Sequence, residues 1–280
     1  MGRARTYPGR VLPLVCLDVD GTLVGTGGEP SERLWAAADR ARGRGQRLTL
    51  CTARLAAGPT RAWAQRLDPD GWHVFHTGAV RWRPADDHFE VEPLPDAAVA
   101  AAVDEAAAHG WVLEAYTADD YAVDSADPLA VAHAGLLSLP FVRRPLTSLD
   151  GPIVRMQYVV PSADTEVALA AAPPGTAASG ATSPLMPGAT FVSVTVASVS
   201  KAAGIGWVAD HQGVDLADVM MVGDGHNDLP AFAVVGWPVA MGNADADVQA
   251  EARLVVASVD DDGAAEALDR SADLGDPGRR

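Results

Sequence analysis

Lysine is almost absent from this chain. Its 280 residues include 21 Lys and Arg, of which only Lys201 is a lysine, against 37 Asp and Glu, so the formal net charge is −16. This charge excludes an electrostatic nucleic-acid binder, because such proteins need a basic surface to displace the counterions of the phosphate backbone. A single lysine beside 20 arginines also raises the question of what one ammonium group does here.

Cysteines and long apolar runs are scarce as well. Cys16 and Cys51 are too few for a disulfide-stapled scaffold, and both lie in apolar runs, so we expect buried, reduced thiols. No run reaches the ~18 apolar residues of a membrane-spanning helix. The first apolar stretch is broken by Pro13 and ends in acidic residues, so we expect no signal peptide, no membrane partner and a cytoplasmic location.

Apolar residues are nevertheless plentiful, and they follow an alternating pattern. The hydrophobic fraction of 48% excludes a disordered chain. Strand-like runs at 11–17, 47–52 and 72–77 are separated by helical patterns at 31–43 and 56–67. This βαβαβ order predicts a parallel sheet with right-handed crossovers. The alternation resumes later in the chain, with a helix at 200–212 and strands at 219–224, 237–241 and 253–258.

The middle of the chain has a different character. It mixes helices with a hairpin-like segment at 80–95 and strand-like segments at 111–124, 153–160 and 189–197. Residues 172–188 are rich in Pro, Gly, Ser and Ala, which predicts a loop or linker. We therefore expect an α/β protein in two parts. A Rossmann-like parallel-sheet core comprises 11–81 and 189–272, and an inserted α+β domain with an antiparallel sheet comprises 82–188.

Two pairs of aspartates lie at predicted strand ends. In DVDGT, Asp18 and Asp20 follow a buried strand, so that one carboxylate can act as nucleophile while the other exchanges a proton. In GDGHND, Asp224 and Asp228 can converge on one cation, and hard oxygen ligands favour Mg²⁺. Active sites of open parallel sheets lie beyond the carboxyl ends of the strands. Each string taken alone is also compatible with a polar turn.

Thr52 and Lys201 are candidate site residues only when they are considered together with these aspartates. Thr52 ends the second strand, where a hydroxyl and nearby N–H groups can hold a phosphoryl oxygen. Lys201 opens a helix, where a cation opposes the helix dipole and indicates an anionic neighbour. Taken alone, Thr52 is an ordinary strand-end residue and Lys201 a solvated surface lysine.

The four strings in this order resemble the haloacid dehalogenase superfamily of aspartyl-phosphate-forming enzymes. The details look most like its Cof-like subfamily IIB phosphatases, and the strings that carry this likeness are TGA at 77–79, SK at 200–201, GDGHNDLP at 223–230 and AMGNA at 240–244. The resemblance covers about 11–80 and 189–260. The insert has the position and size of that subfamily's cap domain, but it offers no motif.

The resemblance implies a Mg²⁺-dependent phosphatase acting on a small phosphorylated metabolite, with a sugar phosphate as the expected class. Asp18 would then be the nucleophile. Asp20 would protonate the leaving group and later activate water. Thr52 and Ala53 would bind the phosphoryl group, and Lys201 would neutralise its charge. Ala53 stands where relatives often have glycine, in TAR instead of TGR, which leaves Thr52 in place.

The same resemblance implies the metal ligands. They would be the carboxylate of Asp18, the backbone carbonyl of Asp20 and the carboxylate of Asp224, with Asp228 in support. Asn227 would orient Asp228 or bind the phosphate. We expect His226 to line the site entrance and not to ligate the metal, because hard cations prefer oxygen.

Alternatives from other classes stay open at this point. A sugar phosphomutase on the same fold would return the phosphoryl group to the substrate, and a non-catalytic phospho-ligand-binding protein would have kept only the fold. Neither the specific substrate nor the oligomeric state can be read from the sequence. We expect Arg143, Arg144 and Arg155 of the insert to be exposed, with contact to an anionic substrate tail as the alternative. As the only lysine, Lys201 is expected to react with amine reagents.

Overall fold

The computed structural model describes residues 11–25, 27–137, 139–183 and 185–274. In the first part of the chain the elements are β1 (Leu14–Leu17), α1 (Glu32–Gly43), β2 (Arg47–Leu50), α2 (Gly58–Leu67), β3 (His73–Phe75), β4 (Val80–Arg83), β5 (His88–Val91), α3 (Asp96–His109), β6 (Val112–Tyr116), β7 (Tyr121–Val123) and α4 (Pro128–Leu136). They continue with β8 (Arg155–Pro161), α5 (Thr165–Ala170), β9 (Thr176–Ala181), β10 (Ala189–Val196), α6 (Lys201–Gln212), β11 (Val219–Gly223), α7 (Leu229–Phe232), β12 (Trp237–Ala240), α8 (Ala246–Ala250), β13 (Leu254–Val255) and α9 (Gly263–Arg270).

Strand β1 is an inner strand of a five-stranded parallel sheet. The strand order is β13-β12-β11-β1-β2, and β1 pairs with β11 on one side and β2 on the other. Its side chains alternate between the two faces, as the two-residue repeat of a strand requires. Val15 and Leu17 pack with α1 and α9, whereas Leu14 and Cys16 pack with α6. Apolar layers on both faces confirm the expected α/β core.

A second sheet forms the body of the insert. Its five antiparallel strands have the order β7-β6-β8-β10-β9. Helices α3 and α5 bury alanines against one face, and α4 buries Ala130 and Ala134 against the other. A third, three-stranded sheet, β3-β4-β5, joins the parallel sheet through a single parallel bridge between Cys51 and Val74.

Two local expectations are wrong. The segment 172–188, predicted as a loop or linker, contains β9, which pairs with β10 as an edge strand. An edge strand is paired on one side only, and here the pairing overrides the weak strand propensity of its small residues. The segment 111–124 is not one strand but the hairpin of β6 and β7, closed by a turn in which Thr117 N donates to Asp120 O at 3.0 Å.

The expected domain boundaries also need correction. The sequence predicts that the second core segment begins at residue 189. Strand β10 (Ala189–Val196) is instead hydrogen-bonded to β8 and β9 in the antiparallel sheet. The hairpin of β4 and β5, in turn, pairs with β3. A strand pattern shows that a strand forms but not which sheet it joins, which explains both differences. We propose 94–196 as the inserted domain, called the cap below.

The cysteine expectation is confirmed. Cys16 and Cys51 are free and fully buried, and burial raises the pKa of both thiols above the ordinary value. Of the helices in the described ranges, none combines the length and the apolar character that a membrane crossing demands.

His73 links β3 to β2 from a fully buried position. Its Nδ1 accepts a hydrogen bond from Leu50 N at 3.1 Å, so the proton is on Nε2, which lies 2.9 Å from Asp68 O and donates to it. Burial lowers the pKa of His73 to about 4. The neutral ring is therefore part of the fold, because a protonated Nδ1 could not accept from Leu50.

We predict that His73 makes the fold sensitive to mild acid. Unfolded, this imidazole gains a proton as the pH falls below 6.5, whereas the folded ring stays neutral until about 4. Its contribution to stability is therefore complete above 6.5 and decreases by up to about 3 kcal/mol as the pH falls towards 4. Urea unfolding across this range should show a shallower pH dependence for His73→Gln than for the unsubstituted protein. Equal slopes would contradict the assignment.

Candidate active site

A buried ammonium group connects three separate parts of the core. Asp18 follows β1, Asp228 follows β11 and Lys201 opens α6. Lys201 Nζ lies 2.7 Å from Asp18 Oδ1 and 2.6 Å from Asp228 Oδ1. Lys201 and Asp228 are 0% exposed and Asp18 is 5% exposed. The helix starts at this point because Ser200 caps it, accepting from Ala203 N at 3.1 Å.

Asp228 is held from its other oxygen as well. Its Oδ2 accepts from the backbone N–H of Asp224 at 3.1 Å and of Gly225 at 3.0 Å. This leaves Oδ1 to pair with Lys201. The GDGHND loop thus folds around the carboxylate of Asp228, which fixes both the loop and the lysine.

Asp224 is positioned by the DVDGT loop. Thr22 Oγ1 donates to Asp224 Oδ1 at 3.2 Å, and Asn243 Nδ2 donates to Gly21 O at 2.9 Å and to Asp224 Oδ2 at 3.4 Å. Gly21 has φ +74°, and a Cβ there would lie 2.0 Å from Asp224 Oδ2. Glycine at this position therefore permits both the left-handed turn and the close approach of the two loops.

The carboxylates outnumber the buried cations at this point. Asp18, Asp224 and Asp228 each offer an oxygen within 4.8 Å of the others, and only Lys201 is buried against them. Burial raises the pKa of Asp18 to about 8, and burial together with the charge of Asp228 raises that of Asp224 to about 6. Although burial opposes it, the charges of Asp18 and Asp228 raise the pKa of Lys201.

This donor set fits a divalent metal ion. When all three carboxyl groups are ionised, one ammonium leaves two of their negative charges uncompensated, and all the side-chain donors are hard oxygens. Asp18, Asp224 and Asp228 are three of the four residues that the sequence suggested as ligands. The side chain of Asp20 lies elsewhere, which is consistent with a role for its backbone carbonyl alone.

The side chain of Asp20 pairs instead with Arg54. Arg54 Nε donates to Asp20 Oδ2 at 3.0 Å, and Nη2 donates to Oδ1 at 2.5 Å. The carboxylate of Asp20 is 64% exposed, so it faces the solvent side of the site while Asp18 faces the interior. The bidentate pair also connects the DVDGT loop to the loop after β2.

Thr52 and Ala53 lie in that second loop. Because β1 and β2 are neighbours with Leu17 opposite Leu50, Asp18 and Thr52 emerge at the same edge of the sheet. Thr52 Oγ1 accepts from Arg54 N at 3.1 Å. Thr52 is fully buried, and among the described residues neither its hydroxyl hydrogen nor the N–H of Ala53 has an acceptor.

Other predicted site residues lie further out. Asn227 is exposed, and the partners of Asp228 are Lys201 and backbone N–H groups, so the expected orienting role of Asn227 finds no support. His226 is exposed and pairs with Asp247 at 2.7 Å. With Asp245 these two form a separate exposed group. The expectation that Lys201 reacts with amine reagents is wrong, because the lysine is fully buried.

Two contributors were missed at the level of sequence. Arg54 ends the TAR string, two residues after Thr52, and nothing in the string itself indicates that the arginine reaches Asp20. Asn243 belongs to the AMGNA string at 240–244. Its Oδ1 also accepts from Val259 N at 2.8 Å, so the side chain ties three loops together. A polar residue after the strand adjacent to β11 was the available signal for Asn243.

The chain belongs to the haloacid dehalogenase-like hydrolase family, which it matches over residues 15–268. Among solved structures it is similar to a haloacid dehalogenase-like hydrolase from Bacteroides thetaiotaomicron, with 24% identity, a TM-score of 0.78 and coverage of 92% of this chain and 98% of that one. A structure described as a haloacid dehalogenase subclass IIB sugar phosphatase gives 22% identity, a TM-score of 0.78 and coverage of 92% and 98%. The expected core with an inserted cap is therefore confirmed.

Curated relatives match over a shorter segment. A phosphoglycolate phosphatase from Archaeoglobus fulgidus is 39% identical over 72 residues, which are 26% of this chain and 32% of that one. The chain thus spans about a third of the length of this phosphatase.

We predict that Mg²⁺ stabilises the folded protein. An ion bound among the three carboxylates favours the native state, and saturating Mg²⁺ should raise the melting temperature by roughly 5 °C. Asp224→Asn removes one charged ligand and should reduce this shift to a small fraction. Asp247→Asn, in the exposed group with His226, is the matched control and should respond as the unsubstituted protein does. Equal shifts for both variants would place the ion elsewhere.

We also predict that Lys201 resists acylation until the protein unfolds. An N-hydroxysuccinimide ester should label it roughly a hundredfold faster in urea than in buffer, because labelling needs opening of the site. Peptide mass spectrometry measures both rates, with an added lysine-containing peptide as the control for reagent activity. Similar rates in the two conditions would show that the ammonium group is accessible.

Proposed function

We propose that the protein is a Mg²⁺-dependent phosphatase that hydrolyses a small phosphorylated metabolite through an aspartyl-phosphate intermediate. The observation that carries this proposal is the placement of two aspartates with opposite surroundings. Asp18 is buried against a lysine ammonium, and Asp20 is exposed and paired with an arginine. One position suits a nucleophile that is held in place, and the other suits a group that exchanges protons.

In the first step an oxygen of Asp18 attacks phosphorus. The bond from phosphorus to the ester oxygen breaks, and the leaving oxygen takes a proton from Asp20. Lys201 holds Asp18 in place and offsets the charge that builds up around it. Thr52 and the N–H of Ala53 donate to the oxygens of the transferring group, which stabilises the charge they carry.

In the second step water attacks the same phosphorus. Asp20, now a carboxylate, accepts a proton from that water as the new bond forms. The bond from phosphorus to Asp18 breaks, which restores the carboxylate and releases inorganic phosphate. Arg54 holds the carboxylate form of Asp20 at the mouth of the site, since its two hydrogen bonds fix the plane of the carboxylate. When Asp20 carries the proton, one of its oxygens no longer accepts from Arg54.

The metal ion belongs to the same arrangement. Mg²⁺ would be held by Asp18, Asp224 and the backbone carbonyl of Asp20, with Asp228 in support, and would offset the negative charge of the phosphoryl group. Asn243 and Thr22 orient Asp224 for this task from opposite oxygens.

A sugar phosphate is the substrate class that we favour. The cap contacts the loop that carries Thr52 through Arg155, and the chain shares its fold with a structure described as a subclass IIB sugar phosphatase. The phosphoglycolate phosphatase that matches part of the chain acts, by its name, on another small phosphorylated metabolite. Both relatives support a phosphate monoester of low molecular mass.

We predict that Asp18→Asn abolishes phosphate release. An amide is a poor nucleophile, so turnover of a generic aryl phosphate with Mg²⁺ should fall by roughly a thousandfold or more. Asp39→Asn is the control, because Asp39 is an exposed aspartate of α1 paired with Arg42. Circular dichroism of both variants checks that the fold is retained.

The outcome separates the alternatives. Release of phosphate that is unaffected by Asp18→Asn would contradict the proposed nucleophile. A folded protein that releases no phosphate from aryl phosphates or a broad metabolite panel would contradict a phosphatase. Conversion of a sugar phosphate into its isomer without free phosphate would indicate a phosphomutase.

A further inference from the structure

Arg155, at the start of β8 in the cap, differs from the other cap arginines. Arg143 and Arg144 pair with cap aspartates and are partly or largely exposed. Arg155 is 5% exposed, and its Nη1 donates to the backbone oxygen of Ala53 at 2.7 Å. A buried guanidinium of the cap is thus bonded to the loop of the core that carries Thr52.

Three successive carbonyl groups of this loop, those of Thr52, Ala53 and Arg54, are held by donors. Thr77 N donates to Thr52 O at 2.9 Å, and His76 N donates to Arg54 O at 3.0 Å. His76 and Thr77 have φ of 48° and 58°, so their N–H groups come from a left-handed turn of the core. The carbonyl of Ala53 lies between those of Thr52 and Arg54 in sequence, and its donor is Arg155 of the cap.

One peptide unit connects Arg155 to the hydroxyl of Thr52. The oxygen of the Ala53–Arg54 peptide accepts from Arg155, and the N–H of the same peptide donates to Thr52 Oγ1 at 3.1 Å. In a trans peptide these two groups point in opposite directions, so fixing one fixes the other. Hydrogen bonds in such a chain also polarise one another.

Arg155 is itself held by a buried polar network. Its Cζ lies 3.9 Å from the ring centroid of Tyr116, whose hydroxyl donates to Glu114 at 2.5 Å. Glu114 also pairs with His133 at 2.9 Å and accepts from Gln157 at 3.1 Å. Glu114 therefore has three partners other than Arg155, and Arg155 contacts this network through the ring of Tyr116.

We propose that Arg155 is a positioning residue through which the docked cap orients the phosphate-binding loop. It acts on Thr52 through the Ala53–Arg54 peptide and touches no substrate. The inference rests on the proposed function, since it takes Thr52 as a ligand of the phosphoryl group. It makes the affinity for phosphate dependent on the contact between cap and core.

Hydrogen exchange of the ligand-free protein tests the positioning directly. In Arg155→Met the amide of Arg54 should exchange roughly tenfold faster, because the peptide that presents it has lost its fixed orientation. Arg143→Met removes the same charge from the exposed surface of the cap and should leave that amide unchanged. Unchanged exchange in Arg155→Met, with the cap still protected, would overturn the proposal.

Binding of inorganic phosphate in the presence of Mg²⁺ gives the second readout. The dissociation constant should rise roughly tenfold in Arg155→Met, and the KM for an aryl phosphate should rise more than kcat falls. Arg155→Lys, which keeps a donor at this position, should restore part of the affinity. Phosphate binding equal to that of the unsubstituted protein would contradict the proposal.

A folding control and a functional control complete the design. If Arg155→Met exposes the amides of Tyr116 and Tyr158, the double variant Arg155→Met, Glu114→Gln removes both buried charges and should show the same change at Arg54. If the unsubstituted protein neither binds phosphate nor hydrolyses esters, the proposed function fails. Hydrogen exchange still decides whether Arg155 fixes the loop.

Discussion

The buried Lys201 ammonium between Asp18 and Asp228 is the interaction on which the site depends. It joins the end of β1, the start of α6 and the loop after β11, which are remote in sequence. Removal of one member would leave a buried charge unpaired, which typically costs about 3–5 kcal/mol. The same ammonium that holds these loops together therefore also determines the position of Asp18, the proposed nucleophile.

The exposure of the side chains in the site increases from the interior of the protein to the solvent. Lys201, Asp18 and Asp228 form its buried base, Asp224 lies at an intermediate depth, and Asp20 faces outward with Arg54. The excess of carboxylates at the base suits a divalent ion, while the exposed Asp20 is the group proposed to exchange protons with a leaving group and with water. The cap completes the arrangement, since its Arg155 holds the loop that carries Thr52.

Most of the core could be predicted from the sequence, because buried parallel strands and glycine-rich strand ends leave local signals. Asp18, Asp224, Asp228 and Lys201 do meet, as expected. The pairing of β10 with the cap sheet could not be predicted, because a strand pattern does not specify its neighbours. The burial of Arg155 could not be predicted for a similar reason. It comes from contacts with Ala53 and Tyr116, which are distant from Arg155 in sequence.

Mass spectrometry of an Asp20→Asn variant mixed with an aryl phosphate would detect the aspartyl-phosphate itself. An aryl leaving group departs without a proton, so Asp18 can still be phosphorylated, whereas hydrolysis lacks its base and the intermediate accumulates. After acid quench, we expect the added mass of one phosphoryl group on the peptide that contains Asp18. Phosphate release with an unmodified Asp18, or a phosphoryl group on another residue, would contradict the proposed intermediate.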